Sequence, residues 1–283
     1  MRREAIIFPA PNRAELHSEE FDPRPGPHEV LIETEVSFIS TGTELAHYTA
    51  QEPRARYPWR PGYANVGVVR ERGDRVRAPE LGARVLTYSP HASWVKCRTD
   101  RMIVPVPERL EPGIAAASIM AGIAAAGLVY AEVRGWPWTA IFGLGLVGNL
   151  AAQSFQIAGC RVIGIDPLAR RRELARLCGV ERTIGGGPEE VLEAIRELTG
   201  GAMASISVDA VGHSAVVTEA LQATARFGQL ILLGSPRVPV KGDLTELLSE
   251  LHLQSITLRG ALQSTPSPLS GRSSRRSAPF SLH

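Results

Sequence analysis

The feature that most constrains this chain is Gly143-Leu144-Gly145-Leu146-Val147-Gly148. It directly follows the apolar run Thr-Ala-Ile-Phe and leads into the helix pattern NLAAQSFQIAG (149–159), which Gly159 stops. A glycine triplet of this spacing gains meaning from that strand–turn–helix context. Gly143 permits a tight turn after the strand. Gly145, lacking Cβ, lets backbone approach a pyrophosphate. Gly148 lets the helix pack closely on the strand. The free N–H groups of the first turn, at Leu146, Val147 and Gly148, and the positive end of the helix dipole would then stabilise phosphate charge. The alternative is a turn whose glycines coincide by chance.

Asp166 ends the next strand pattern, RVIGIDP (161–167), 18 residues after Gly148. A carboxylate there accepts hydrogen bonds from adenosine ribose hydroxyls and repels a 2′-phosphate, which favours NAD(H) over NADP(H). Arg170, Arg171 and Arg172 follow. Arg171 is taken as a nucleotide-side residue that could also meet a phosphate, and Asp166 can equally cap the helix LARRRELARLCG (168–179). Further strands at 205–212 and 229–236 bring Val211 and Gly212, then Gly234 and Ser235, to the carboxyl edge of the sheet, where doubly wound folds bind ligands. His213 lies beside them and reads as a helix-cap neighbour exposed to solvent.

The pattern elsewhere divides the chain. Short β-rich runs at 5–8, 29–39, 64–73, 83–89 and 92–98, separated by Gly, Pro and Asp, predict an all-β domain over 1–110, with no helix before about residue 111. Over 111–262, helices (115–130, 149–159, 168–179, 188–200, 214–228) alternate with apolar strands (138–145, 161–167, 205–212, 229–236, 255–262), predicting an α/β doubly wound parallel sheet covered on both faces. Residues 263–283, with seven serines, offer little to bury and read as disordered. The stretch 113–131 is uncharged but rich in Ala and Gly, which suits a closely packed helix better than a membrane span. With 31 basic against 29 acidic side chains and no basic stripe, nucleic-acid binding is not expected. Three widely spaced cysteines (Cys97, Cys160, Cys178) exclude a disulfide framework and a Cys-x-x-Cys metal site. With no signal peptide at the N-terminus, a reducing, cytoplasmic setting is expected.

The β-rich first third, the central GLGLVG and the later VDAVG (208–212) and LLGSP (232–236) together resemble the medium-chain dehydrogenase/reductase superfamily over about residues 4–262. That resemblance implies a GroES-like all-β domain followed by a Rossmann domain. VSFISTGTEL (36–45) and YPWRPGYANVGVV (57–69) resemble its threonine-dehydrogenase-like and bacteriochlorophyllide-dehydrogenase-like branch. In zinc-dependent relatives a Cys falls at Thr41, Gly-His-Glu at Gly62-Tyr63-Ala64, and the third ligand near Ala121. Thr, Tyr and Ala cannot build a catalytic zinc tetrahedron, so no metal is expected. By the same correspondence Thr43 matches a proton-relaying hydroxyl, and Thr41, Tyr63 and Glu44 line the pocket. Thr43 and Tyr63 are the candidates to polarise the substrate oxygen, although the Thr-Gly-Thr segment can equally be turn chemistry. The relay histidine of some relatives falls on Ala46. His47, one residue off, reads as a surface loop residue.

The implied function is zinc-independent, NAD(H)-preferring hydride transfer between nicotinamide and a small alcohol or carbonyl compound. The alternatives are an NADPH-dependent alkene or quinone reductase, or a nucleotide-binding remnant without activity. Family members return to the β domain after the strand that SITLRGAL (255–262) resembles. Here the Ser/Pro/Arg tail stands in that place, so a truncated or frame-shifted end is expected, as is a homodimer formed through the 255–262 strand.

Overall fold

The computed structural model describes residues 1–263, so the expected disorder of the tail falls, but for Gln263, outside the described residues. Those residues form two compact units that divide after Met120.

In the first unit, β1 (Arg2–Ala10) and β2 (Arg13–Glu20) form an antiparallel hairpin. A five-stranded antiparallel sheet has the order β6-β3-β4-β5-β7. Its strands are β3 (Glu29–Ser37), β4 (Asn65–Arg72), β5 (Arg84–Thr87), β6 (Trp94–Arg98) and β7 (Ile103–Pro105). Val30, Ile32, Val69, Val85 and Val95 meet in its core. Their β-branched side chains pack well on a pleated surface. One expectation fails here: a helix precedes residue 111, α1 (Thr43–Tyr48). Six residues are too few to display a helical period. The turn is held by Glu44, whose Oε1 accepts the Ser40 N–H at 2.8 Å.

α2 (Pro112–Tyr130) starts with Pro at its first position, and the Glu111 carboxylate accepts the Gly113 and Ile114 N–H groups. Those two bonds hold the Glu111 carboxyl below the usual range. By length and composition α2 could cross a membrane, yet Ala116, Ile119, Met120 and Ala124 are buried inside the protein.

The second unit is a six-stranded parallel sheet of order β10-β9-β8-β11-β12-β13. The strands are β8 (Trp138–Phe142), β9 (Arg161–Ile165), β10 (Arg182–Ile184), β11 (Ala204–Asp209), β12 (Thr224–Leu232) and β13 (Thr257–Gly260). The connecting helices are α3 (Leu146–Ile157), α4 (Ala169–Leu177), α5 (Pro188–Leu198), α6 (Ser214–Gln222) and α7 (Leu244–Leu253). One face of the sheet packs Ile141, Phe155, Val162, Val208 and Ile231, and the other packs Phe142, Ile163, Ile195, Ala220 and Leu230. The sequential strands therefore run outward in both directions from a neighbouring central pair, β8 and β11. The order reverses there, which opens a crevice at their carboxyl ends.

The expected helix over 214–228 is cut short. α6 stops at Gln222 because residues from Thr224 onward pair with β11, and the Thr224 hydroxyl donates to the Ala220 carbonyl. Tertiary strand pairing here outweighs local helix preference.

Candidate functional site

The glycine corner lies at the reversal point. Gly143 follows β8 with φ +89°, a left-handed conformation that favours glycine. Its N–H donates to the Ile165 carbonyl at 2.7 Å, while the Ala210 N–H donates to Phe142 at 2.9 Å, so the turn is tied to both neighbouring strands. A Cβ on Gly148 would stand 1.8 Å from the Gly143 carbonyl oxygen. α3 therefore sits as close to the turn as a residue without a side chain allows. Gly145 differs: a Cβ there would meet no heavy atom within 4 Å. It precedes α3 in extended conformation, and no side chain caps the helix. The first-turn N–H groups, including those of Leu146 and Val147, have no partner within the helix. An open cradle beneath uncapped donors and the positive end of a helix dipole suits an anion such as a diphosphate.

Asp166 is 1% exposed at the end of β9. Its Oδ2 accepts the Leu144 N–H at 2.9 Å, and its Oδ1 accepts the Leu168 N–H at 2.9 Å. The carboxylate thus also holds the glycine turn and the entry to α4, a structural task the sequence reading anticipates only in its helix-capping form. Arg171 reaches Oδ2 at 3.3 Å, with half its side chain in solvent. Arg172 turns away to the Asp166 and Pro167 carbonyls.

Across the crevice, Asp209 ends β11 with no exposure. Its Oδ1 accepts the Val211 N–H at 2.9 Å and the Gly212 N–H at 3.1 Å, and its backbone carbonyl accepts the Leu233 and Gly234 N–H groups. Burial pushes its carboxyl up, against the opposing pull of those two backbone N–H bonds. A Cβ on Gly234 would lie 2.3 Å from the Gly212 nitrogen, and one on Gly212 would lie 2.7 Å from the Ser235 carbonyl oxygen. The structure therefore brings Gly143, Val211, Gly212, Gly234 and Ser235 together at one sheet edge. Asp209, which organises that edge, stands inside the VDAVG motif without a role in the sequence reading. His213 caps α6 with Nδ1 toward the Ala215 N–H and is half-buried rather than exposed.

The first unit holds a second polar cluster. His91 Nδ1 lies 2.8 Å from Ser37 Oγ, and its Nε2 lies 2.8 Å from Glu44 Oε2. His91 and Glu44 are 7% and 3% exposed. All three line a cavity of ≈ 410 Å³, as does Thr41. Thr43 and Tyr63 are not among its lining residues. Thr43 gives its carbonyl to His47 Nδ1 at 2.9 Å, and the Tyr63 ring stands 6.3 Å from that of Tyr88, whose phenol burial pushes up. His47 is not a surface loop residue. It is buried in α1 and stacks on Trp59 at 4.0 Å, and its carbonyl accepts the Tyr57 hydroxyl. Sequence reasoning missed Ser37 and His91, which lie 54 residues apart and meet only through folding.

The donor set does not fit zinc. Thr41, Tyr63 and Ala64 offer no nitrogen or sulfur ligand, and Glu44 and His91 already bond one another. Among the described residues, no group of three or more His, Cys, Asp or Glu could hold a metal ion. Cys97 and Cys160 are buried, and burial pushes the Cys97 thiol up to about 11.

A family model described as zinc-binding dehydrogenase matches residues 147–273. An alcohol dehydrogenase of Geobacillus stearothermophilus is 26% identical over 269 residues, covering 84% of this chain and 77% of that protein. An L-threonine 3-dehydrogenase of Bacillus subtilis (strain 168) is 27% identical over 268 residues, covering 82% of this chain and 76% of that protein. A solved candidate zinc-binding dehydrogenase from Sinorhizobium meliloti 1021, bound to NADP, shares the fold with a TM-score of 0.81 at 20% identity, covering 93% of this chain and 84% of the other. With the reversed strand order, the glycine corner at its crevice and the antiparallel first unit, these likenesses support a relationship of the chain to the medium-chain dehydrogenase/reductase superfamily of NAD(P)-dependent oxidoreductases.

Proposed function

We propose that the protein is a zinc-independent oxidoreductase that prefers NAD(H) and interconverts a small alcohol and its carbonyl compound. The observation that carries this reading is the open cradle at Gly145, beneath the uncapped first turn of α3. Gly143, Gly145, Leu146, Val147 and Gly148 hold the pyrophosphate, and Val211, Gly212, Gly234 and Ser235 flank the nicotinamide side. When bound, the nicotinamide accepts or returns the hydride. Asp166 takes the adenosine ribose. Leu144, Leu168 and Arg171 fill three of the roughly four acceptor positions of a carboxylate. The ribose enters as Arg171 swings out, at little cost, because a half-exposed ion pair contributes about 0–1 kcal/mol. The carboxylate left behind disfavours a 2′-phosphate. Residues 1–110 handle the substrate and 111–262 the dinucleotide; Thr43 and Tyr63, the hydroxyls expected from sequence to face the substrate oxygen, do not line the cavity beside Ser37 and His91 and are not assigned that part.

Fluorescence titration of the full chain with NADH and with NADPH tests this reading. The expected result is saturable binding of both, tighter for NADH, followed by turnover of alcohols or carbonyls in a substrate panel. Failure of both nucleotides to bind would sink it. Preference for NADPH with reduction of a C=C bond would replace it by the alkene reductase alternative, and binding without turnover by the inactive remnant.

A further inference from the structure

The Ser37–His91–Glu44 chain has a fixed hydrogen-bond polarity. An ionised Glu44 can only accept, and it does so from the Ser40 N–H and from His91 Nε2. His91 Nε2 therefore carries hydrogen. In a neutral ring that leaves Nδ1 as an acceptor, so the Ser37 hydroxyl donates to it and keeps its lone pairs free. Ser37 lies half-buried at the end of β3, and beside it the cavity wall is apolar, built from Ile6, Phe8, Ile39, Leu45 and Pro61. A buried acid–imidazole pair adds little stability compared with apolar packing. Placed next to an apolar cavity with an acceptor hydroxyl at its end, it is arranged to receive a proton.

We propose that Ser37, His91 and Glu44 form the acid–base relay for a small apolar alcohol or ketone bound in this cavity, an inference that rests on the oxidoreductase reading above. In the oxidative direction the alcohol O–H proton passes to Ser37 Oγ as the Ser37 proton passes to His91 Nδ1. The resulting imidazolium is neutralised by Glu44. In reduction the two transfers reverse: the Ser37 proton completes the substrate hydroxyl, and the His91 Nδ1 proton returns to Ser37 Oγ. This is proton transfer alone. The C–H hydride and its electron pair belong to the nicotinamide chemistry already proposed. Ser37 touches substrate, His91 holds the proton, and Glu44 is a positioning residue that sets the tautomer.

Nitrogen NMR of the histidine side chains in the labelled full chain, without nucleotide, tests the relay, with His91 assigned by its loss in His91→Gln. The wild type shows the Nε2–H tautomer. In Glu44→Gln the new amide donates to Nε2, and His91 switches to Nδ1–H, a change that a merely structural pair would have no need to transmit to the cavity. Cyclohexanol shifts the wild-type His91 signal and leaves that of Ser37→Ala unmoved. For the secondary alcohol the wild type oxidises fastest, Ser37→Ala lowers kcat by about 100-fold or more with KM little changed. A wild-type Nδ1–H tautomer, an absent cyclohexanol shift, a shift that survives in Ser37→Ala, or undiminished kcat would each overturn the proposal. The NADH titration stands apart from these readouts: lost nucleotide binding with an intact alcohol response would defeat the oxidoreductase reading, and the reverse pattern would defeat the relay alone.

Discussion

At the scale of single residues, the glycines of the corner separate by what surrounds them. Gly145 faces open space in ordinary extended backbone, so Gly145→Val should leave the fold intact while its side chain fills the diphosphate's place. Its NADH affinity should fall at least about 100-fold, equivalent to about 2.7 kcal/mol, by fluorescence titration. Unchanged affinity would count against the whole nucleotide assignment. Asp166→Ser should move selectivity toward NADPH, read as the ratio of the two dissociation constants. It should also lower stability, because the Leu144 and Leu168 N–H groups lose their acceptor. Asp209 supplies a test by pH. Burial raises its folded-state pKa, so the native state binds its proton more readily than the unfolded chain does. Its contribution is then most favourable below the ordinary Asp range and is lost as pH rises through the raised value. Asp209→Asn lacks that loss. Its stability relative to wild type should increase from pH 4 to pH 7 in urea melts, and a flat difference would contradict the buried, raised carboxyl.

At the scale of elements, α3 is seated by contact rather than by a cap. Gly148→Ala would drive a methyl group into the Gly143 carbonyl, and neither the turn nor the helix can yield without breaking the ties to β9 and β11. A loss of about 1–3 kcal/mol is expected, read as a lowered Tm. Which elements are readable from sequence follows from where their stabilisation originates. β8, β9 and β11 are buried along most of their length because both faces are covered, and they stand where the pattern puts them. β2 is hidden because its residues Arg13–Glu20 are mostly polar and exposed and it exists by backbone pairing with β1. α7 carries a local start signal in the sequence. Asp243 caps it and Glu246 follows three residues later, the spacing of a capping box. The excess length expected of α6 has the opposite cause, a helix-compatible sequence captured by a parallel ladder.

At the scale of the whole molecule, the proposed nucleotide site links binding to stability. NADH at 100 times its dissociation constant should stabilise the native state by about 2.7 kcal/mol. The rise in Tm should be absent in Gly145→Val, a comparison that separates lost binding from lost folding. β13 has a strand neighbour on one side only among the described residues, and Leu258 is exposed there. We propose that this edge pairs with a second copy. Sedimentation should then report a dimer, and a monomer at all concentrations would exclude that pairing.

The amino-acid order alone determined the glycine corner, because its requirements are local: a strand, three residues without side chains at fixed spacing, and a helix start. It likewise determined the alternation that builds the parallel sheet. Tertiary structure decided whatever depends on partners remote in the chain. It buried Asp166 under two backbone donors, made Asp209 the organiser of the opposite edge, and drew His47 inward onto Trp59. It also joined Ser37, Glu44 and His91 beside one cavity. The physical reason is the same in each case. A hydrogen bond or a desolvated charge is defined by what packs against it, and sequence spacing carries that information only when both partners lie within one local element.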